Sequence, residues 1–325
     1  MSTKHSRSKL VVTAGIVLTA ALTLTACGSD DSEGSQESGA KPDVDISYDI
    51  SGDTEEVNID GDLDLEQPAA WVIDEGDGDA VKNGDMLQLL TASVDVDSQE
   101  VRAQDFNAGG SVTSVNDDLA SQFPQVHDVL EGAALGSDIA FYMPADTLGE
   151  GYPAQLDIMH IESVIPDHAT GDPVDSTELD TKLPQVTLDE DTQAPIIETP
   201  EGEPSKDLLV DVLKQGDGPK VQDDSNVTVQ YRGISWSNGE EFDSSWGDDN
   251  TGKPINFGLD QVIPGWQEGM AGQKVGSQLI LSIPPEQAYG EAGTEGIEPN
   301  ETLVFVVDIL HSADPIAGDD ATETD

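Results

Sequence analysis

The sequence predicts an α+β protein in which one fold, an antiparallel β-sheet wrapped around a short α-helix, occurs twice. Short segments alternate between apolar and polar residues, which is the pattern of half-buried strands. A single short segment beginning at Pro264 has the character of a helix. Two parts of the chain also match each other at one constant offset, which is the distance from Val72 to Val212. Strands with few helices and a repeat together favour two domains of one α+β type.

The strand signals are clearest in the second copy. Val227, Val229 and Tyr231 alternate with polar residues, and residues 278–283 alternate in the same way. Residues 302–310 form a longer, mostly apolar run that suits a buried closing strand. We therefore expect an antiparallel sheet in this copy.

One turn and one helix interrupt these strands. Asn238-Gly239 is typical of a hairpin turn, because both residues tolerate positive φ. Pro264 suits the first position of a helix, since its missing N–H has no intrahelical partner there. The helix is expected to run through Ala271 and to end at Gly272.

The repeat defines the domain boundaries. Because one offset holds over separated segments, chance similarity is a poor explanation. We predict copies at residues 67–165 and 205–312. The matching positions are Val72-Ile73 with Val212-Leu213, Gly76-Asp77-Gly78 with Gly216-Asp217-Gly218, Phe123-Pro124 with Ile263-Pro264, and Gly136-Ser137 with Gly276-Ser277.

The segment from Met1 to Ala26 resembles a bacterial lipoprotein signal peptide. Three basic residues without an acid precede an apolar run from Leu10 to Leu24, which is shorter than the roughly 20 residues of a membrane span. The run ends in Leu24-Thr25-Ala26-Cys27, which resembles a lipobox. The resemblance implies acylation of Cys27 and a lipid anchor on the extracytoplasmic face of the membrane. A buried free thiol is the alternative reading of this single cysteine, but its Gly, Ser and Asp neighbours offer no core.

The remainder of the chain is strongly acidic. Over the whole sequence Lys and Arg total 13 against 66 Asp and Glu, and the formal net charge is −53; without the three basic residues of the leader it is −56. Such a surface repels phosphate backbones and anionic lipids, so nucleic-acid binding is excluded and membrane attachment needs the lipid. Residues 27–66 read as an acidic tether, with hidden strands allowed where acids alternate with apolar residues. Residues 166–204 read as a linker and residues 313–325 as an acidic tail.

The second copy carries five motifs in succession along residues 205–312. They are Val229-Gln230-Tyr231-Arg232-Gly233, Phe242-Asp243-Ser244-Ser245, Val262-Ile263-Pro264-Gly265-Trp266-Gln267-Glu268-Gly269, Ala288-Tyr289-Gly290 and Leu303-Val304-Phe305. Their order and spacing resemble the FK506-binding (FKBP) family of peptidyl-prolyl cis–trans isomerases. The resemblance implies a five- or six-stranded antiparallel sheet wrapped around a short helix, two such FKBP-like domains, and isomerase activity in the second.

The resemblance also implies a site between sheet and helix. Trp266 would form its floor, and the N–H of Ile263 and the hydroxyl of Tyr289 would hold substrate carbonyls. Asp243 would provide a polar wall near the twisting amide, acting through the Tyr231 hydroxyl. The implied lining is completed by Phe242, Val262, Ile297 and Phe305.

The chemistry fits an aromatic site without a nucleophile. Rotation about an X–Pro bond is slow because amide resonance must be broken, with a barrier of ~18–20 kcal/mol. A dry pocket removes the preference of water for the polar planar amide and holds a twisted ring by shape. The sequence offers no catalytic Ser–His or Cys–His pair, and its five histidines lack metal-ligand spacing. We therefore expect neither a cofactor nor a metal.

The expected function is isomerisation of X–Pro bonds in unfolded or nascent secreted proteins. Macrolides similar to FK506 and rapamycin are expected to bind the same pocket. A proline-binding or chaperone module without turnover is the alternative, and a purely structural surface lipoprotein is a third class. Glu298 stands where the family usually has an apolar residue, so it is expected to disfavour acidic residues flanking the proline.

The first copy is expected to keep the fold and lose the pocket chemistry. At the offset of the repeat, Trp266 corresponds to Val126 and Tyr231 to Thr91. The Phe242-Asp243 pair is expected at Val101-Arg102, with a shift of one residue. This copy would bind or position substrate, or act as a spacer.

Overall fold

The computed structural model describes residues 42–314 except 176, 178 and 248–251. These residues form two compact units. The amino-terminal unit contains residues 42–166 and the carboxy-terminal unit contains residues 167–312. Both are built from antiparallel strands with few helical residues, so the predicted α+β class is confirmed.

The amino-terminal unit is a six-stranded sheet preceded by a two-stranded hairpin. The sheet order is β3-β7-β8-β4-β5, and β6 also pairs with β4. The elements are β1 (Val44–Ser51), β2 (Thr54–Gly61), β3 (Ala69–Asp74), β4 (Met86–Asp95), β5 (Val101–Gln104), β6 (Ser111–Ser114), α1 (Asp117–Gln122), α2 (Pro124–Leu130), β7 (Asp138–Met143) and β8 (Gln155–Val164).

Strand alternation gives this sheet two apolar faces. On the inner face, Leu87 and Ile139 pack with Val126 of α2. Helix α1 begins at Asn116, whose side chain accepts the Leu119 N–H at 2.9 Å, and Pro124 begins α2. Both starts follow from the preferences of those residues for helix N-termini.

The hairpin β1–β2 covers the outer face of this sheet. Val44 and Ile59 on the hairpin belong to one buried cluster with Trp71 and Tyr142 of the sheet. The sequence predicts a tether over residues 27–66. Its described portion, residues 42–66, instead contains an ordered hairpin, because the apolar residues between the acids point to one side and are buried or half-buried there.

The carboxy-terminal unit contains a seven-stranded sheet. Its order is β14-β13-β17-β16-β12-β9, and β15 also pairs with β13. The elements are β9 (Asp172–Pro173), β10 (Val186–Leu188), β11 (Pro195–Ile197), β12 (Leu209–Gln215), β13 (Asn226–Ser235), β14 (Glu241–Ser244), β15 (Ile255–Gly258), α3 (Pro264–Met270), β16 (Gln278–Ile283) and β17 (Leu303–Ala313).

The strands and the helix expected in this half are present close to their expected bounds. Strand β16 occupies residues 278–283, and α3 runs from Pro264 to Met270. The helix packs against the inner face, where Met270 is fully buried with Leu281 and Val307.

Residues 167–204 differ from the predicted linker, because they pack along the outer face of the carboxy-terminal sheet. Strand β9 pairs with β12, and β10 pairs with β11 in a small hairpin. Leu183 is 6% exposed and lies in a buried cluster with Ile234 and Val306. The indole N–H of Trp236 donates to the carbonyl of Gly202 at 3.1 Å. We call residues 174–204 the strap.

Apart from β9, which only the carboxy-terminal sheet contains, the two units have the same strand order. β4 and β13, α2 and α3, and β7 and β16 are each related by the offset found in the sequence. Each sheet also has a two-stranded hairpin before it, burying its outer face. The repeated element is therefore longer than the sequence indicates, because it includes the hairpin.

Candidate functional site

Three aromatic rings meet at one end of the carboxy-terminal sheet, next to the start of α3. The ring centroids of Tyr231 and Phe305 each lie 5.1 Å from that of Trp266, with interplanar angles of 81° and 84°. Phe242 stands edge-on to Phe305 at 5.4 Å. Rings nearly perpendicular to the indole pack edge-on against it, and such edge-to-face pairs are favourable in themselves.

Local structure places each ring. Tyr231 on β13 and Phe305 on β17 point to the inner face through strand alternation. Trp266 is held by the first turn of α3, which follows Ile263 and Pro264. The indole is 5% exposed, and its N–H has no acceptor in the described part of the chain.

Gly233 allows these rings to come together. A Cβ atom on this residue would lie 2.7 Å from carbons of both Phe242 and Phe305. Any side chain at residue 233 would therefore displace one of these two phenyl rings. The glycine that ends the first motif is a packing requirement of the site.

A tyrosine–carboxylate hydrogen bond borders the cluster. The Tyr231 hydroxyl donates to Asp243 at 2.5 Å, and the backbone N–H of Ser244 donates to the same carboxylate at 2.9 Å. Burial, followed by this hydrogen bond, raises the pKa of Tyr231 well above its ordinary value. The phenol therefore stays protonated and keeps its proton directed at the carboxylate.

Tyr289 lies on the loop between β16 and β17, beside this pair. It is 42% exposed, the largest exposure among the aromatic residues assigned to the site. Burial of its remaining surface and the charge of Asp243 raise its pKa. Its hydroxyl has no hydrogen-bond partner among the described residues, so it can donate to a ligand.

The remaining predicted residues lie around the same cluster. Val262 and Ile263 are half-buried against it, and Ile297 is 7% exposed within it. Ile263 precedes α3 in an extended conformation, with φ −61° and ψ 145°. Its carbonyl accepts from the N–H groups of Trp266 and Gln267, and its own N–H donates to no described residue.

Two residues missed by the sequence analysis support the site. Phe257 on β15 packs 5.5 Å from Trp266, tilted by 46°. Ser245 accepts the Tyr231 N–H at 2.8 Å and fixes the backbone under that ring. The alternation of Ile255 and Phe257 was a usable signal for the first, whereas the contact of Ser245 depends on a bulge that spacing does not indicate.

The equivalent positions of the amino-terminal unit carry different chemistry. Strand β5 pairs with β4 in the register that β14 keeps with β13, so the Phe242-Asp243 pair corresponds to Arg102-Ala103. The expected shift to Val101-Arg102 is therefore wrong, because both strands have their bulge at the same place. Phe141 pairs with Asp157 where Leu281 pairs with Phe305, so Asp157 occupies the place of Phe305.

Two predicted features lie outside this site. Cys27 and the leader fall outside the described residues. In the part of the chain that the structure describes, no helix is long and apolar enough to span a membrane. The same residues contain no group of three side chains suited to hold a metal ion.

The family model for FKBP-type peptidyl-prolyl cis-trans isomerase matches residues 218–310, which include every residue of the aromatic cluster around Trp266. An FK506-binding protein of Streptomyces anulatus is 45% identical over 122 residues, covering 36% of this chain and 96% of the relative. A probable FK506-binding protein of Corynebacterium glutamicum is 41% identical over 118 residues, covering 36% of this chain and 98% of the relative.

A longer relative also matches part of the chain. The FKBP-type peptidyl-prolyl cis-trans isomerase FkpA of Escherichia coli is 46% identical over 106 residues, which cover 33% of this chain and 38% of FkpA. The residues matched by the family model contain the rings, the Tyr231–Asp243 pair and the start of α3. On this evidence the chain belongs to the FKBP-type peptidyl-prolyl cis–trans isomerases, a family of enzymes.

Proposed function

We propose that the carboxy-terminal unit accelerates isomerisation of X–Pro bonds in proteins folding outside the cytoplasmic membrane. Its means would be a desolvating aromatic pocket over Trp266. The observation that carries this proposal is the set of rings standing at 81° and 84° to a buried indole, whose N–H has no acceptor among the described residues. A buried Trp N–H usually finds a partner, so this arrangement suits a floor that a ligand covers.

Desolvation would lower the rotational barrier. Amide resonance makes the planar X–Pro bond more polar than the twisted one, and water stabilises the polar form. Transfer of the bond to an aromatic surface removes that stabilisation from the ground state while the walls fit the twisted prolyl ring. This mechanism needs no covalent intermediate and no proton transfer.

Three polar groups would orient the bond. The N–H of Ile263 and the hydroxyl of Tyr289 are donors without acceptors in the described chain, and each would hold a substrate carbonyl. Asp243, held by Tyr231 and the Ser244 N–H, would present a fixed negative charge to the amide as its nitrogen becomes pyramidal. These groups act electrostatically and are in place before the substrate arrives.

The full chain, assayed with a prolyl tetrapeptide by NMR exchange, tests this mechanism. We expect Trp266→Leu to lower kcat/KM by at least about tenfold, since it removes the floor and three ring contacts worth ~0.5–1.5 kcal/mol each. Trp236→Leu is the matched control, because Trp236 is equally buried but lies on the outer face. Its rate should stay within about twofold of the unchanged chain's rate, given ordinary experimental scatter in such comparisons.

Two results would overturn the mechanism. One is an equal loss of rate in both tryptophan variants, which would indicate general destabilisation. The other is tight binding of the peptide without exchange above background, which would favour the alternative of a proline-binding module. FK506 should compete with the peptide, since the Streptomyces and Corynebacterium relatives are named for binding it.

We further propose that the amino-terminal unit is a non-catalytic copy of the same fold and that Cys27 anchors the chain in the membrane. The polar replacements at residues 91, 102 and 157 support the first statement. The lipobox resemblance supports the second. Metabolic labelling with palmitate should mark the chain and fail in Cys27→Ala, and labelling of that variant would contradict the anchor.

A further inference from the structure

Ile297 borders a second concavity next to the aromatic cluster. It packs with Trp266 and Phe305 in the core of the unit and also lines a cavity of about 370 Å³. The cavity is formed by two segments, the hairpin turn Ser235–Glu240 and the loop Ala292–Glu301. Its size is within the range of small-ligand sites, and it shares a wall with residues assigned to the prolyl pocket.

The charge of this cavity is entirely negative. Glu240, Glu298 and Glu301 line it, and no Lys, Arg or His of the described residues does. Ser237 donates to both oxygens of Glu301, through its N–H at 3.0 Å and its hydroxyl at 2.7 Å. Glu301 therefore holds the hairpin turn against the loop and fixes the shape of the cavity.

The other two glutamates are free to meet a ligand. Glu240 accepts one hydrogen bond, from the Asn238 amide at 3.2 Å. Glu298 has no hydrogen-bond or ion-pair partner for its side chain in the described residues, and it directly follows Ile297. A concave wall focuses such a field, so the cavity attracts a cation of suitable length.

We propose that this cavity receives a Lys or Arg side chain of the client, a few residues from the bound proline. Glu298 and Glu240 are then specificity-determining residues for the isomerase reaction. An extended chain advances ~3.3 Å per residue, so a residue beside Ile297 is a near neighbour of the proline. A long flexible stem ending in a positive charge suits a cavity that is lined mainly by polar groups and carries carboxylates. This inference rests on the proposed isomerase function.

Sets of three prolyl peptides test it on the full chain. Within a set the peptides differ only in carrying Lys, Ala or Glu at one position, and the sets cover the three positions on each side of the proline. We expect the Lys peptide to exceed the Glu peptide by about fivefold in kcat/KM at low salt, the scale of exposed ion pairs. The ratio should fall as salt screens the carboxylates.

In the double variant Glu240→Gln, Glu298→Gln, the ratio of kcat/KM for the Lys peptide to kcat/KM for the Glu peptide should fall close to one. Each rate is normalised to that of the Ala peptide with the same variant. Asp217→Asn is the matched control, since it removes a carboxylate from an exposed turn of the same unit that does not line the cavity. Its ratio should stay as in the unchanged chain.

The outcomes separate the two proposals. A ratio that the double variant leaves intact, or that Asp217→Asn lowers equally, overturns the inference in favour of the general field of the protein. Turnover of all three peptides without preference also overturns it and leaves the isomerase function standing. Failure to accelerate even the Ala peptide instead contradicts the proposed function itself.

Discussion

The inner faces of the two sheets share a strand order and differ at the place where a site could form. In the carboxy-terminal unit, Tyr231 and Phe305 lie against an indole. In the amino-terminal unit, the Thr91 hydroxyl donates to buried Asp105 at 2.9 Å, and Asp157 accepts from Ser93 at 2.6 Å and from Gln155 at 2.7 Å. One fold therefore carries an aromatic cluster in one copy and a hydrogen-bonded polar network in the other.

The replacements are mutually dependent. Asp157 stands for Phe305, and its partners Ser93 and Gln155 stand for Gly233 and Leu303. Gly233 has no room for a side chain because two phenyl rings approach it, whereas Ser93 has a carboxylate to bind. The comparison teaches that each set is stable only as a whole, because a buried charge without its donors is costly.

The most severe test transfers one residue between the sets. We expect Phe305→Asp to destabilise the carboxy-terminal unit by ~3–5 kcal/mol and to abolish isomerisation, because Gly233 and Leu303 offer the carboxylate no donor. Phe305→Leu is the control that removes the ring without adding charge. Urea unfolding followed by tryptophan fluorescence measures this, since three of the four tryptophans lie in that unit. A loss no larger than that of the leucine variant would refute the dependence.

The next test concerns the outer faces, which both units cover with a hairpin. Leu183 on the strap is 6% exposed, and Ile59 on the amino-terminal hairpin is 7% exposed. We expect Leu183→Ala to destabilise the carboxy-terminal unit by ~2–3 kcal/mol, the usual cost of a buried leucine. Lys182→Ala, at an exposed neighbour, should change stability by less than about 0.5 kcal/mol. Equal midpoints for the two variants would mean that the strap adds nothing to the fold.

The smallest expected effect is a pH dependence in the stability of the amino-terminal unit, caused by Asp157. Burial raises the pKa of Asp157, so the native state holds this proton more tightly than the unfolded chain. The stability it contributes is complete below its unfolded pKa of about 3.9 and is lost as pH rises through the raised native value. Asp157→Asn cannot ionise and should be more stable than the unchanged chain at pH 7, by ~1–2 kcal/mol.

That difference should vanish near pH 4, where both chains are neutral at this position. Hydrogen exchange of residues 155–164, followed through a urea titration by mass spectrometry, isolates the amino-terminal unit. Asp146→Asn provides a control at an exposed loop residue. If Asp157→Asn shifted the midpoint equally at both pH values, burial of the carboxyl would not be its cause.

The sequence predicted the strands and helix of the carboxy-terminal unit because β13, β16 and α3 carry regular alternation or a proline start. It did not predict the strap, and it only allowed for strands within the predicted tether where the hairpin β1–β2 lies. Their short apolar runs, such as Ile196-Ile197, are buried in part by contacts with strands far along the chain, which local sequence does not indicate. Acids between the apolar residues also gave those segments the composition of flexible chain.

The sequence likewise predicted some residues of the site region and missed others. Motif order identified Trp266 and the residues around it, whereas Asp157 escaped notice for a geometric reason. The constant offset of the repeat does not relate Asp157 to Phe305, because the loop before β8, residues 144–154, is shorter than the loop that carries Tyr289, residues 284–302. Only strand pairing reveals the equivalence, since a fixed offset fails beyond that loop.

The strap also sets the smallest piece of this enzyme that could be moved to another protein. A fragment limited to the residues matched by the family model, 218–310, would contain the whole aromatic cluster. It would leave Ile234, Trp236 and Val304 exposed to solvent on the outer face of its sheet. Such a sheet would adhere to its own copies through that apolar patch. A soluble, transferable isomerase from this chain therefore begins near residue 167, well before the part that performs the chemistry.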